Sequence, residues 1–197
     1  MGMVGRRYRR RRAGILIGML FVIAPSCSRS RAPGADRIDS LVASTDSIAI
    51  YNAGVDAFRA KDYAVARVLW RRAADLGVAH TRSNLGYLLY YGLGGWADST
   101  TAARLWQEAI AEGDAEAHRH VAQAILDGNR ELGTLVDAYA HTVASRLLAK
   151  DPQEYAGDQI ERDADRLSVK IAAGLTPPER ARAEELGRRW AREAPNR

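Results

Sequence analysis

Residues Leu69 to Gly77 read LWRRAADLG and residues Leu105 to Gly113 read LWQEAIAEG, which sets Trp70 and Trp106 36 residues apart. A phrase written twice at a fixed distance points to a repeated structural unit, because a catalytic motif needs to be written only once. The offset holds beyond the phrase: Ala66 falls on Ala102, Ala73 on Ala109, Gly77 on Gly113, Ala79 on Ala115, Gly92 on Gly128, and apolar Leu85 on apolar Val121. Agreement at spaced positions with free variation between them is the mark of repeated packing.

Each unit reads as two helices. Ala66, Leu69, Trp70 and Ala73 recur at helical spacing, and Gly77 is placed to end their helix in a left-handed conformation. A second helix is expected from Ala79 to about Tyr91, where GLGG stops it. The next pair starts on Asp98 or Ser99 as N-cap, stops at Gly113, and resumes from Asp114 to about Leu126. Small residues at Ala73, Gly86, Ala109 and Ala122 let neighbouring helices approach closely, while Trp70 and Trp106 fill the wider gaps. Further on, Asp151, Pro152 and Glu154 predict another helix with Ile160, Ala164, Leu167 and Ile171 facing inward. Thr176 and Glu179 around Pro177 form a capping box for a last one, whose stripe of Ala183, Leu186 and Trp190 suits it to cover the end of an array.

The N-terminus is of another kind. Of 29 basic residues, six are arginines within the first twelve positions; without residues 1–26, which hold no acid, 23 basic residues face 24 acidic ones. The positive balance of the whole chain therefore gives no support to nucleic-acid binding. An arginine-rich head, the apolar run Ala13 to Ala24 and small residues after it read as a secretory signal over residues 1–26, the run being too short for a bilayer-spanning helix of about 20 residues. The only cysteine, Cys27, follows in IAPSC, which resembles the lipobox of bacterial lipoproteins, although Ala24 stands where leucine is usual. That resemblance implies lipidation of Cys27 and a periplasmic protein held on the inner or outer membrane. Ordinary signal cleavage is the other reading, since Ala24 and Ser26 satisfy a small-x-small rule. Residues 27–44 read as a flexible, turn-rich tether.

Groups that carry chemistry are sparse. His118 and His120 are two residues apart, so on a helix they point to largely opposite sides and cannot share a metal as an i, i+4 pair can. With one cysteine no intramolecular disulfide forms. GLGG lacks a preceding strand and a lysine and reads as a turn, and no G-x-S-x-G or paired-cysteine zinc pattern occurs. The expectation is a protein without catalytic residues, cofactor or metal.

The stretch NLGYLLYYGLGGWADSTTAARLWQEAIAEGDAEA, Asn84 to Ala117, resembles the Sel-one-like repeat (SLR) family, a relative of the tetratricopeptide repeat. YNAGVDAFRAKDYAVARVLWRRAADLG resembles a unit with a shorter loop, and LVDAYAHTVASRLL a third with His141 in the tryptophan's place. The resemblance spans residues 45–193. It implies an all-α fold, a right-handed solenoid of antiparallel helix pairs closed by a C-terminal capping helix. It also implies a concave groove lined by the first helix of each pair, with Asn52, Asn84 and His120 in equivalent slots and Arg59, Tyr87, Arg119 and Gln123 along it. Tyr91 joins Asn84 and Tyr87 on one face of their helix. Such a groove would bind a peptide or a protein helix. A disulfide-rich branch of the family is linked to penicillin binding and β-lactamase-type activity, but its cysteine pairs are absent here. The function this reading implies is an envelope scaffold or adaptor, with a cell-wall hydrolase or ligand-binding protein and a structural accessory subunit as alternatives.

Overall fold

In the computed structural model the described residues are 35–150 and 157–195. The signal segment, Cys27 and the expected helix start at Asp151 to Glu154 lie outside them. Nine helices are formed among the described residues: α1 (Ala35–Ala43), α2 (Ser47–Arg59), α3 (Tyr63–Asp75), α4 (Thr81–Tyr90), α5 (Ser99–Ala111), α6 (Ala115–Leu126), α7 (Leu135–Leu148), α8 (Gly157–Ala172) and α9 (Pro177–Glu193).

Local chemistry sets these boundaries. Asp46, Asp62, Asp98 and Asp114 each accept a hydrogen bond from the backbone N–H three residues on, so four helices start on aspartate caps. Thr134 with Asp137, and Thr176 with Glu179, close capping boxes ahead of α7 and α9. Gly77 and Gly113, both at φ +79°, end α3 and α5 as their equivalent positions predict. Beyond each, the N–H of Val78 or Asp114 reaches back to the carbonyl of Ala73 or Ala109. The helix expected from Ala79 begins at Thr81 instead, because His80 takes a left-handed conformation, φ 62°, in front of it.

Sequential helices pack as antiparallel pairs, α2 on α3, α4 on α5 and α6 on α7, with α8 against α6 and α7, and α9 against α7. Each repeated tryptophan is seated on a glycine of the preceding helix. A Cβ added to Gly54 would lie 2.5 Å from Trp70 Nε1, and one added to Gly86 would lie 2.5 Å from Trp106 Nε1. These two close approaches fix how near α2 comes to α3, and α4 to α5. Trp106 is fully buried, and its N–H donates to the Ser83 carbonyl at 3.1 Å. In the third unit His141 replaces the tryptophan, and α9 makes good the lost ring: Trp190 lies 4.6 Å from His141 and 6.1 Å from His118. Gly187 lets α9 settle directly over the Ala140 carbonyl and Val143.

One boundary is corrected. The stretch 27–44, expected as a tether, holds α1 over Ala35–Ala43, because Leu41 and Val42 find an apolar surface at Ile50, Leu69 and Ala73. No helix among the described residues is long and apolar enough to cross a membrane.

Candidate functional site

The helices α2, α4, α6 and α8 lie along one side and line a cleft of about 370 Å³. Helical spacing places its wall. On α2, Tyr51, Val55 and Phe58 recur at i, i+4 and i+7; on α4, Asn84 and Tyr87 at i and i+3; on α6, Glu116, Arg119 and His120 at i, i+3 and i+4. Gln159, Ile160 and Asp163 of α8 close the far side, and Trp70 is reached from below. The aromatic rings form a continuous chain: Phe58 is 5.4 Å from Trp70 and 6.2 Å from Tyr87, Tyr87 is 5.0 Å from His120, and His120 stacks on Trp106 at 5.8 Å.

Charge in the cleft is largely matched. Arg119 Nε donates to Glu116 at 3.0 Å, and the guanidinium makes a second bond to the same carboxylate. Burial works against both charges, but their surroundings outweigh it: Arg119 stays protonated beside Glu116, and His120 first and Arg119 second bring the Glu116 carboxyl below its ordinary range. Arg119 also approaches His120 Nδ1 at 3.3 Å. The Arg119 N–H makes Nδ1 the acceptor and so puts the His120 proton on Nε2. Burial first, and the Arg119 charge second, hold His120 down to about 4, so it is neutral at physiological pH. By contrast, Arg59 stands exposed at the rim.

Of the eight residues expected at a groove, Arg59, Asn84, Tyr87, Arg119 and His120 line this cleft. Asn52 does not. It sits about a quarter-turn round α2 from the Tyr51, Val55, Phe58 row, in a shallower depression with Leu76 and Val78. Tyr91 and Gln123 are joined elsewhere, the Tyr91 hydroxyl donating to Asp127 Oδ2 at 2.8 Å and Gln123 Nε2 to Oδ1 at 2.7 Å. That bond, after burial itself, pushes the Tyr91 phenol well up. Phe58 was not foreseen, and is legible afterwards as the i+4 neighbour of Gly54; on α8 the inward turn of Ile160 was expected, but not that Gln159 and Asp163 beside it close the cleft.

A second polar cluster borders the cleft at the start of α4 and α6. Asp114, 1% exposed, caps α6 and lies 3.3 Å from His80 Nδ1 and 2.9 Å from Ser83 Oγ. Burial opposes its ionisation, but the His80 contact and the bonds from Ala117 N–H and Ser83 bring its pKa below the usual value. The carboxylate stands between the histidine and the hydroxyl. A serine nucleophile needs the opposite order, with the imidazole against the hydroxyl to take its proton. The cluster is a joint between two helices.

His118 and His120 point to opposite sides of α6 as their spacing requires. His120 faces the cleft, while His118 meets His141 with Nδ1 atoms 2.8 Å apart beneath Trp190. Burial pushes His118 down to about 4 and His141 well below its ordinary value. Among the described residues no group of three or more His, Cys, Asp or Glu converges as a metal site would.

The architecture has a solved counterpart in the crystal structure of c5321, a protective antigen present in uropathogenic Escherichia coli strains and displaying an SLR fold. The likeness has a TM-score of 0.60 with 22% identity and covers 76% of this chain. This chain has the SLR fold. It matches 30% of the length of that antigen. No protein-family model matches the chain, and no curated protein matches it. The SLR fold explains the paired helices and the cleft on their first members, and leaves the cleft's occupant to be read from its side chains.

Proposed function

We propose that the protein is a non-catalytic scaffold of the bacterial cell envelope that holds a peptide segment or helix of a protein partner in the cleft between α2, α4, α6 and α8. The observation that carries this reading is the cleft itself: an open trough with an aromatic wall, Phe58 and Tyr87, flanked by Asn84 and the exposed Arg59. Tyrosine and phenylalanine offer a partner large contact area at small ordering cost, and arginine at a rim selects for acidic neighbours. The envelope location rests on the signal-like N-terminus, with Cys27 as the lipidated residue that ties the chain to a membrane.

The test is a photo-crosslinking residue placed at Tyr87 in the full chain, expressed in its own cells. Discrete protein adducts are expected, and an Arg59→Glu change made alongside should reduce them. Purified mature protein that hydrolysed a peptidoglycan fragment or a β-lactam, with loss of that activity on substitution in the cleft, would replace the scaffold by the hydrolase reading. The intact mass of the mature N-terminus tests the anchor separately: a mass starting at unmodified Cys27 excludes lipidation.

A further inference from the structure

The side of α3 that faces away from the cleft carries a different chemistry. Trp96, in the α4–α5 connection, is 94% exposed. Its position is nonetheless fixed. Gly94, at φ +76°, lies so close to the Tyr63 carbonyl that a Cβ there would be 2.4 Å from the oxygen, and Gly95 lies against the Arg67 guanidinium. Arg67 donates to the Trp96 carbonyl at 3.1 Å, and the Asp98 N–H donates to the Leu89 carbonyl at 2.9 Å. An indole held out into water by a braced backbone is a costly arrangement for a chain that has no use for it.

Beside it runs a depression lined by Val42 of α1, by Arg67, Val68, Arg71 and Arg72 of α3, and by Gly94 of the same connection. Val68 is half exposed. Several surface arginines elsewhere are matched to acids, Arg82 to Glu112, Arg104 to Glu108, Arg146 to Asp165 and Arg188 to Glu184, while Arg180 donates to the Leu175 carbonyl. Here Arg67 and Arg72 give hydrogen bonds to backbone carbonyls of Trp96 and Ser44 rather than to carboxylates. Asp75 is the acid that lines the depression, and Asp98, near Arg67, is engaged in capping α5.

We infer that this face, Trp96 with Arg67, Arg71 and Arg72, is a contact surface for an anionic phospholipid headgroup layer, independent of the cleft. Three arginines supply the charge that such a layer attracts, and a lone indole suits the boundary between headgroups and acyl chains. A protein interface of standard size needs about 800 Å² on each side with a packed apolar centre, and here one protruding ring and one half-exposed valine stand among cations. The envelope reading supplies the setting, but the lipid contact is measurable without Cys27.

Pro33–Arg197 form one unit with its own core, so that unit is mixed with vesicles of phosphatidylcholine alone and of phosphatidylcholine with phosphatidylglycerol, and co-sedimentation is measured. Binding is expected to the anionic vesicles only, weakening as salt rises. Arg71→Gln should weaken it about fivefold, and Trp96→Ala should weaken it and remove a blue shift in tryptophan emission. Neither change should move the melting temperature, because Trp96 and Arg71 are exposed. Absence of binding, equal binding to both vesicle types, or indifference to both substitutions would overturn the inference. So would protein adducts in place of lipid adducts from a photo-crosslinking residue at position 96 in cells. Failure of the cleft experiment leaves these outcomes untouched, so the two readings fall separately.

Discussion

Gly86→Ala tests the packing on which the fold depends. In an unencumbered helix the change is favourable by about 1 kcal/mol, since alanine loses less backbone entropy. In α4 the new methyl would sit 2.5 Å from Trp106 Nε1 and 2.8 Å from Cδ1, so the indole has to retreat by about 1 Å to reach an ordinary contact. It has nowhere to go. Trp106 is fully buried, with Tyr90 at 5.1 Å and His120 at 5.8 Å, and its N–H is engaged with the Ser83 carbonyl at 3.1 Å. Overpacking costs about 1–3 kcal/mol, and an indole N–H pulled from its buried partner adds about 1–3 more. Set against the helix gain, the net loss is about 1–5 kcal/mol, and its middle value, about 3 kcal/mol, lowers the melting temperature by about 6–12 °C for a unit of this size. Thermal unfolding followed by circular dichroism on the 33–197 unit measures it. Gly77→Ala is the comparator, because Gly77 has open space around it and only a left-handed φ of +79° to lose, about 1–2 kcal/mol. A Gly86→Ala protein that melts at or above the parent temperature would refute the tryptophan–glycine account.

Acid should loosen the structure. His118 and His120 titrate near 4 when folded and near 6.5 when unfolded, so their contribution is complete above pH 6.5 and is lost as pH falls toward 4. At pH 5 each ring costs about 2 kcal/mol, and urea midpoints at pH 7.5 and pH 5 that coincide would contradict their burial. Trp190→Ala should uncover the His118–His141 pair and raise both imidazoles toward ordinary values, read by NMR titration, while faster proteolysis at α9 reports its release. Asp114→Asn keeps a cap for α6 but removes the charge that faces His80; a loss of about 1–3 kcal/mol in chemical denaturation is expected.

The parts of this molecule that were legible in the sequence are those determined by neighbours along the chain or by the repeat. The aspartate and threonine caps, the glycine stops and the seating of Trp70 and Trp106 depend on residues within one helix pair, and their spacing carries that information. Opposite orientation of His118 and His120 followed from helical geometry alone. What those rings meet did not, because His141 and Trp190 lie 23 and 72 positions from His118 and nothing in the periodicity links them. The cleft was legible in part for the same reason. Residues on α4 and α6 fell where the repeat places them, but Asn52 was misplaced because one residue of register is about 100° on a helix. Gln123 is held by Asp127 four residues on at the end of α6, and Tyr91 reaches the same carboxylate from the end of α4, 36 positions away. The helix α1 was missed because its apolar residues are few, and it is stabilised by the surface of α3 more than by its own propensity.

Comparing the two tryptophan phrases position by position separates packing from surface function. Leu69, Trp70 and Ala73 are buried, as are Leu105, Trp106 and Ala109, and there the units agree. At exposed places they differ, Val68 against Arg104 and Arg71 against Gln107. In the second unit Arg104 turns to its own Glu108, which satisfies its charge within α5. The first unit writes arginine at both 71 and 72, where the second writes Gln107 and Glu108, and so leaves α3 with more cations than Asp75, the acid of that helix in the depression, can offset. Arg72 ties the Ser44 carbonyl to α3, but Arg71 is exposed and the second unit builds the same helix pair with Gln107 in its place, so packing does not account for Arg71. Arg71→Gln, which gives the first unit the second unit's residue, should therefore leave thermal stability within about 0.5 kcal/mol of the parent while weakening adsorption to anionic vesicles. A large loss of stability instead would mean that Arg71 serves the fold, and the charge difference between the repeats would then need no lipid to explain it.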